Sequence, residues 1–361
     1  MIKDRMTYRW LWSCLIAGGL LLTGCADDNM ESFEEPVQEQ GSPLELRAVT
    51  RTSGATQIGN ANCPPIKAIL TSETALVQEG YFRYSAGSGW TSDLSVKEER
   101  QYYLYGYMPE VITGTTVTYE APTGGKYADG IDLSFPGLPA ITEQDISVVV
   151  GVQRVDGVST ETPNVTEGSF SYLSGIWGKN YVNLLMGHIY AGLELNFKID
   201  ADYASVRSIH LKTVTLSTDY GKVDATVQLR ADKGIEHAVF TKVSGSSASA
   251  PITMMSTESA ETVLDDRYTN TPLKLNKLAY CFPSIFAAEG ANLSITTTYD
   301  VYDRTKNKNL GERTSTNKLR ITASAINPGQ KKTVIITVQP TYLYVLSDGD
   351  LDNPGTTVVI N

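Results

Sequence analysis

The chain has 361 residues with a net charge of −10, and 41% of its residues are hydrophobic and 19% charged. This composition indicates a globular protein that is long enough for two domains of ordinary size, which we favour, or for one large all-β domain, and its 20 tyrosines favour sheets. The acidic balance argues against nucleic acid as a partner, because the sequence has no basic stripe that would displace counterions from phosphates.

The first 25 residues carry the pattern of a lipoprotein signal peptide. Basic residues precede an apolar run at 11–22, which is too short and too rich in glycine for a membrane span. Small residues then stand directly before a cysteine. We expect lipid on this cysteine as the first residue of the mature chain. The alternative is an ordinary secretory signal with a chance cysteine. The lipobox residues are Leu22, Thr23, Gly24 and Cys25.

Residues 26–45 form an acidic segment without Lys or Arg. Such a segment cannot bury enough apolar surface to become ordered, so we expect a tether. An acidic run after a lipidated cysteine also resembles the export signal that sends lipoproteins of the Bacteroidetes to the outer face of the outer membrane. The alternative is a solvated spacer that carries no export signal.

The next segment, residues 44–51, alternates apolar and polar side chains as a half-buried strand does. Arg47 and Arg51 lie towards its end, and a flexible patch of small residues at 53–55 follows, of the type that proteases cut. Arg51 and Arg47 are therefore the candidate processing sites. The alternative is an ordinary first strand with two exposed arginines.

Short predicted strands follow, separated by Gly, Pro and Asn clusters. One of them places Tyr103, Tyr105 and Tyr107 on one face, where they would form a sugar-stacking platform or, as we favour, fill a core. The clearest strand is residues 193–199, whose apolar side chains alternate without a slip. Its expected hairpin partners are residues 206–216 and 223–229.

Enzymatic chemistry is not expected, and neither is a cofactor or a bound metal. None of the histidines, His188, His210 and His237, has a second histidine or a carboxylate at metal-ligand or catalytic spacing. The sequence also lacks a nucleophile elbow, a phosphate-binding loop and a dinucleotide fingerprint. Acidic residues at 348–352 have the alternate spacing of a calcium loop, but Asn353 replaces the expected glycine, so turn residues are favoured over calcium ligands.

Cysteine is scarce. Cys14 leaves with the signal peptide and Cys25 carries lipid, so Cys63 and Cys281 remain in the folded part, without metal-ligand spacing. A disulfide between them is compatible with an oxidising compartment, but two buried free thiols are favoured.

Three sequence blocks resemble the fimbrillins, the lipoprotein pilin subunits of Bacteroidales. They are the tyrosine-rich residues 102–109, residues 184–193, and a tail that runs from 327–330 through 340–346 to 352–354. The resemblance covers nearly the whole chain, with lipobox, acidic tether, arginine site and tail in the family's order.

The resemblance implies an all-β protein with two transthyretin-like (Greek-key) β-sandwich domains in tandem. The implied segments are the signal peptide 1–24, the lipidated tether with a removable first strand 25–51, an N-terminal domain 52–180, and a C-terminal domain 181–361 whose donor-strand tail covers about 341–361.

The implied function is that of a structural subunit, in the stalk, of surface fimbriae that support adhesion. After export to the outer membrane as a lipoprotein, an arginine-specific or trypsin-like protease removes the tether and first strand. A neighbouring pilin subunit then fills the groove with its tail. The partners are therefore neighbouring subunits, the protease, outer-membrane lipid through Cys25 before processing, and a host or bacterial adhesion receptor. The donor residues are Tyr342, Leu343, Tyr344, Val345, Leu346, Val358, Val359 and Ile360.

The alternative is a surface lipoprotein that acts as a glycan-binding module through exposed aromatic side chains such as Trp90, Tyr103 or Trp177. Both interpretations share the lipobox and the fold. Arg51 and the detachable tail favour the pilin, because a glycan-binding module needs neither.

Overall fold

The computed structural model describes residues 41–52, 63–157, 163–176, 178, 180–248, 250–256, 262–282, 292–320, 328–338 and 356–360. Strands dominate this part of the chain, which confirms the all-β fold class. The short α1 (Ala201–Val206) begins where the side chain of Asp200 accepts a hydrogen bond from Tyr203 N, and a 3₁₀ helix covers Asp266–Tyr268. Within the same residues, no helix is long and apolar enough to cross a bilayer.

Sheet I gathers strands from the N-terminal half of the chain together with one strand that follows residue 180. Its strand order is β2-β13-β11-β7-β3-β4-β5, with β12 also paired to β7, and β1 and β6 form a separate pair. The strands are β1 (Ser42–Pro43), β2 (Glu45–Arg51), β3 (Ile66–Thr71), β4 (Leu76–Ser85), β5 (Gly89–Ser92), β6 (Ser95–Val96), β7 (Gln101–Met108), β11 (Ser147–Val155), β12 (Ser171–Leu173) and β13 (Tyr181–His188).

Three further sheets hold the other described strands. Sheet II has the order β17-β16-β9-β8, sheet III the order β10-β20-β14-β23-β24, and sheet IV the order β18-β15-β21-β22 with β19 paired to β15. The strands are β8 (Thr118–Glu120), β9 (Gly130–Pro139), β10 (Ile141–Thr142), β14 (Ala191–Ile199), β15 (Arg207–Thr218), β16 (Lys222–Arg230), β17 (Gly234–Lys242), β18 (Ile252–Ser256), β19 (Thr262–Leu264), β20 (Leu273–Cys281), β21 (Asn292–Asp303), β22 (Lys308–Arg320), β23 (Lys331–Val338) and β24 (Thr356–Ile360).

Sheet I is apolar on both faces. One face shares a large buried cluster with sheets II, III and IV, to which it contributes Tyr105 and Val148. The opposite face carries a separate cluster, which we call the outer cluster and which includes Phe82, Leu104 and Leu184. Because successive side chains of a strand point to opposite faces, a strand buried on both sides is apolar at nearly every position, as the run of valines in β11 shows.

The strand predicted from residues 193–199 is confirmed, but its predicted neighbours are wrong. Leu193, Leu195 and Phe197 of β14 are fully buried in the shared cluster. However, β14 pairs with β20 and β23, whereas β15 pairs with strands of sheet IV and β16 with strands of sheet II. The alternation showed which face of each strand is buried, and this does not determine the partner of a strand.

The prediction that the tyrosines of β7 fill a core is confirmed. Tyr105 and Tyr107 are 0% and 8% exposed and belong to the shared cluster, against which Tyr103 packs partly buried. The rings of Tyr107 and Phe135 of β9 lie 5.8 Å apart, edge to face. These rings therefore join sheet I to sheet II.

Strands on either side of residue 180 share sheets. Sheet I takes in β13, which follows this residue, and sheet II pairs β9 with β16. By their contacts, residues Gln40–Asn361 form one compact unit. The division into domains at 52–180 and 181–361 stays a prediction.

Both cysteines in the described part of the chain are free thiols. Cys281 is fully buried, and burial raises the pKa of its thiol to about 12. Cys63 is partly buried, and burial raises the pKa of its thiol to about 11 although the nearby charge of Arg51 lowers it. The predicted pair of free thiols is confirmed, with Cys63 less buried than expected.

These pKa values predict slow thiol chemistry. At pH 8 both groups are protonated, and the thiolate is the reactive form. In a chain carrying Cys14→Ser and Cys25→Ser, we expect Ellman's reagent to label Cys63 slowly and Cys281 only after denaturation in guanidinium chloride. Rapid labelling of Cys281 in the native protein would contradict its burial.

Candidate functional site

The candidate site is the first long strand, β2, at the edge of sheet I. Among the described strands it pairs with β13 alone and runs parallel to it, from Glu45 opposite Tyr181 to Arg51 opposite Met186. Although β2 and β5 lie at opposite ends of the strand order, the two strands contact each other. Leu44 N donates a hydrogen bond to Leu94 O over 3.0 Å across this junction. Sheet I therefore curves around the outer cluster, and β2 lies where the two ends of the sheet meet.

The segment that contains β2 buries three large side chains in the outer cluster. Leu44, Leu46 and Val49 are 0%, 2% and 0% exposed. We call the trough beneath them the β2 groove, and it is lined by Val182, Leu184 and Met186 of β13 and by Leu94 and Val96 on the opposite side. Full burial of such a side chain is worth about 2 kcal/mol, so these three contribute roughly 6 kcal/mol before chain entropy is subtracted.

A buried asparagine fixes the beginning of this segment. Asn180 is 1% exposed, and its main-chain oxygen accepts a hydrogen bond from Glu45 N over 2.8 Å. Its side chain donates to Ser42 Oγ over 2.5 Å and accepts from the hydroxyl of Tyr172 over 2.9 Å. The sequence prediction missed Asn180 because an isolated asparagine carries no distinctive signal.

Arg47 lies at an irregularity in the middle of β2. The register shifts between Leu46, opposite Val182, and Ala48, opposite Asn183, so Arg47 is the extra residue of a bulge. Its guanidinium lies 3.7 Å from the centre of the Tyr181 ring and 3.5 Å from the carboxylate of Glu45. Arg47 is therefore held within the sheet, with paired residues on both sides.

Arg51 ends β2 and contacts a partly buried acidic residue, Asp145. Its Nη2 lies 3.5 Å from Oδ2 of Asp145, whose side chain is 13% exposed, while that of Arg51 is 33% exposed. Nδ1 of His188 lies 2.9 and 2.8 Å from the two carboxylate oxygens of Asp145. Thr52 N donates a hydrogen bond to Met186 O over 3.1 Å. The peptide bond between Arg51 and Thr52 is therefore still held against β13.

The group of Asp145, His188 and Ser147 does not have the geometry of a catalytic triad. Ser147 Oγ lies 3.3 Å from the same nitrogen, Nδ1 of His188, that contacts Asp145. A triad requires the nucleophile and the orienting carboxylate on different nitrogens of the ring. Among the described residues, no group of three or more His, Cys, Asp and Glu side chains would hold a metal ion.

The tail is described only at its end. Strand β24 pairs antiparallel with β23 at the edge of sheet III, with Ile360 opposite Val334 and Thr356 opposite Val338. In this structure Val358, Val359 and Ile360 therefore pair with their own chain. Outside the described residues lie Leu22, Thr23, Gly24, Cys25, Tyr342, Leu343, Tyr344, Val345, Leu346 and the acidic residues of 348–352.

The aromatic side chains named for glycan binding do not form one platform. Trp90 packs against the outer cluster on one face of sheet I, and Tyr103 packs against the shared cluster on the other face. Both are partly buried, and the rings of Trp90 and Tyr84 lie 5.6 Å apart, edge to face. Trp177 lies outside the described residues.

Comparison with solved structures finds fimbrial and putative cell adhesion proteins of low sequence identity. A fimbrial protein from Bacteroides vulgatus is 13% identical, with 88% of this chain and 98% of that chain covered and a TM-score of 0.45. A putative cell adhesion protein from Bacteroides uniformis is 12% identical, with 89% and 96% covered and a TM-score of 0.40. The fimbrial anchor protein Mfa2 from Porphyromonas gingivalis is 9% identical, with 88% and 95% covered and a TM-score of 0.31.

No family model matches the chain, and neither does any curated protein. At the identities and TM-scores given above, the solved structures do not assign the chain to a family.

Proposed function

We propose that the protein is a structural subunit of a surface fimbria, exported as a lipoprotein through Cys25, activated by cleavage after Arg51 and polymerised by donor-strand exchange. The observation that carries the proposal is the position of β2. It is an edge strand, it ends at an arginine, and it covers an apolar groove that its departure would open.

Loss of β2 would create a binding site for another strand. The edge of β13 would lose its backbone partners, and the apolar residues of the β2 groove would face water. Both changes raise the free energy of the folded protein, because backbone groups lose their hydrogen bonds and apolar surface is exposed. Adding a strand at this edge reverses both. A strand with alternating bulky side chains restores the ladder and the burial together.

The tail of a neighbouring subunit is the proposed donor. Residues 342–346 carry bulky apolar side chains on both faces of a strand, as insertion into a closed groove requires. Residues 339–355 connect β23 to β24 and would span about 55 Å when extended. Because β24 occupies only the edge of sheet III, it can leave β23 while the central strands stay in place. A detachable tail together with a removable first strand suits a stalk subunit.

The geometry favours Arg51 over Arg47 as the processing site. A cut after Arg47 would leave Val49 in the β2 groove and the pairing from Ala48 to Arg51 intact. A cut after Arg51 would free the whole strand. It is also adjacent to the patch of small residues at 53–55.

The test is the N-terminus of the protein at the cell surface. We expect mass spectrometry to find assembled protein that begins at Thr52, and unprocessed protein that begins at a lipid-bearing Cys25. Arg51→Ala should block assembly, while Arg47→Ala, the matched control on the same strand, should leave it nearly unchanged. Fimbriae whose subunits still carry residues 25–51 would contradict the proposal.

A further inference from the structure

The side chain that a processing protease must capture is held by the protein itself. A trypsin-like protease binds the arginine in a deep specificity pocket and the flanking backbone in its active-site cleft. In this structure the guanidinium of Arg51 lies 3.5 Å from Asp145, and Thr52 N is hydrogen-bonded to Met186 O. Cleavage after Arg51 therefore requires both contacts to break first.

Asp145 is well placed to hold this strand end. It lies two residues before β11, and His188, which contacts both of its carboxylate oxygens, is the last residue of β13. Ile189 N also donates a hydrogen bond to Ile146 O over 3.1 Å, which joins the two chain segments beside the carboxylate. The carboxylate is thus fixed to the two strands that follow β2 in the sheet order, and neither strand is removed by processing.

We propose that Asp145, braced by His188, is a positioning residue that sets the rate of proteolytic activation by holding Arg51 in the sheet. The inference rests on the proposed cleavage after Arg51. The hold is incomplete, because Nε of Arg51 is buried without a hydrogen-bond partner among the described residues. Because the contacts of Arg51 are incomplete, they delay release of the strand end without preventing it.

The experiment follows cleavage of the full chain by limiting trypsin, with the rate at Arg51 measured by mass spectrometry of the N-terminal fragments. We expect Asp145→Asn to raise this rate about fivefold, the size expected when a partly exposed ion pair is lost. Asp145→Glu keeps the charge and should stay within about twofold of the original rate.

The matched control is Glu45→Gln. It removes the partner of Arg47, which lies on the same strand at the same 3.5 Å, and leaves the contacts of Arg51 in place. We expect no increase at Arg51. An equal increase in both variants would show general loosening of β2 and overturn the proposal, and so would an unchanged rate in Asp145→Asn.

A second variant covers the case in which Asp145→Asn does not fold. His188→Gln keeps the carboxylate but loosens its support, and should raise both the cleavage rate and the hydrogen exchange of Thr52 N–H. Unchanged values of both would overturn the proposal. Because trypsin is added in vitro, the assay tests the hold on Arg51 even if cells process the chain at another residue, an outcome that would contradict the proposed function alone.

Discussion

Cleavage after Arg51 followed by release of β2 should lower the thermal unfolding temperature by about 12 to 24 °C. Leu44, Leu46 and Val49 leave the outer cluster at a loss of about 2 kcal/mol each, and 1 kcal/mol shifts the unfolding temperature of a domain of about 150–250 residues by about 2–4 °C. A synthetic peptide of residues 340–361 should restore most of the loss, because it refills the β2 groove.

The measurement is differential scanning calorimetry of the cleaved protein after removal of the released segment, with and without the peptide. The control peptide carries Leu343→Asp and Val345→Asp, which place charges on one apolar face, and it should give no recovery. An unchanged unfolding temperature after loss of β2 would mean that the strand does not support the outer cluster. Equal recovery with both peptides would contradict the donor assignment.

Deletion of residues 342–361 should abolish polymers while leaving a folded, processed monomer. Of the strands that the structure describes, β24 pairs with β23 alone, and β23 remains paired with β14 on its other side, from Lys331 to Val338. Val334, Ile336 and Val338 thus stay in the shared cluster. The truncated subunit would accept a donor strand but supply none, so it would end a growing fibre.

Electron microscopy and gel electrophoresis without boiling provide the measurement. Two single substitutions test the two parts of the tail separately. Tyr344→Asp affects residues 342–346, and Val358→Asp affects β24. We expect Tyr344→Asp to reduce polymer length more strongly, because residues 342–346 are the more apolar run. Long polymers without the tail would contradict the donor assignment, and failure to fold would show that the tail belongs to its own domain.

The sequence was informative wherever a pattern repeated along a single strand. Alternation predicted residues 193–199 and 44–51 as strands, and both are confirmed as β14 and β2. The tyrosines of β7 were correctly assigned to a core, because large aromatic residues on a strand are more often buried than exposed. Local periodicity was enough for these predictions.

Contacts between distant segments could not be predicted in this way. The hydroxyl of Thr50 in β2 donates to Leu184 O in β13, across 134 positions of the chain. Asp145 and His188 lie 43 positions apart, so no local spacing indicates their contact. The misassigned hairpin of β15 and β16 has the same cause, because alternation shows the buried face of a strand and not its partner.

The parallel pairing of β2 with β13 has a consequence for the order in which the chain folds. A parallel pair cannot be formed by a tight turn, so β2 stays without its partner until residues 181–188 have emerged during synthesis and export. The first long strand that the structure describes is thus among the last to dock. Pairing across so long a separation forms slowly, so the contacts that hold Arg51 in the sheet are made late in folding.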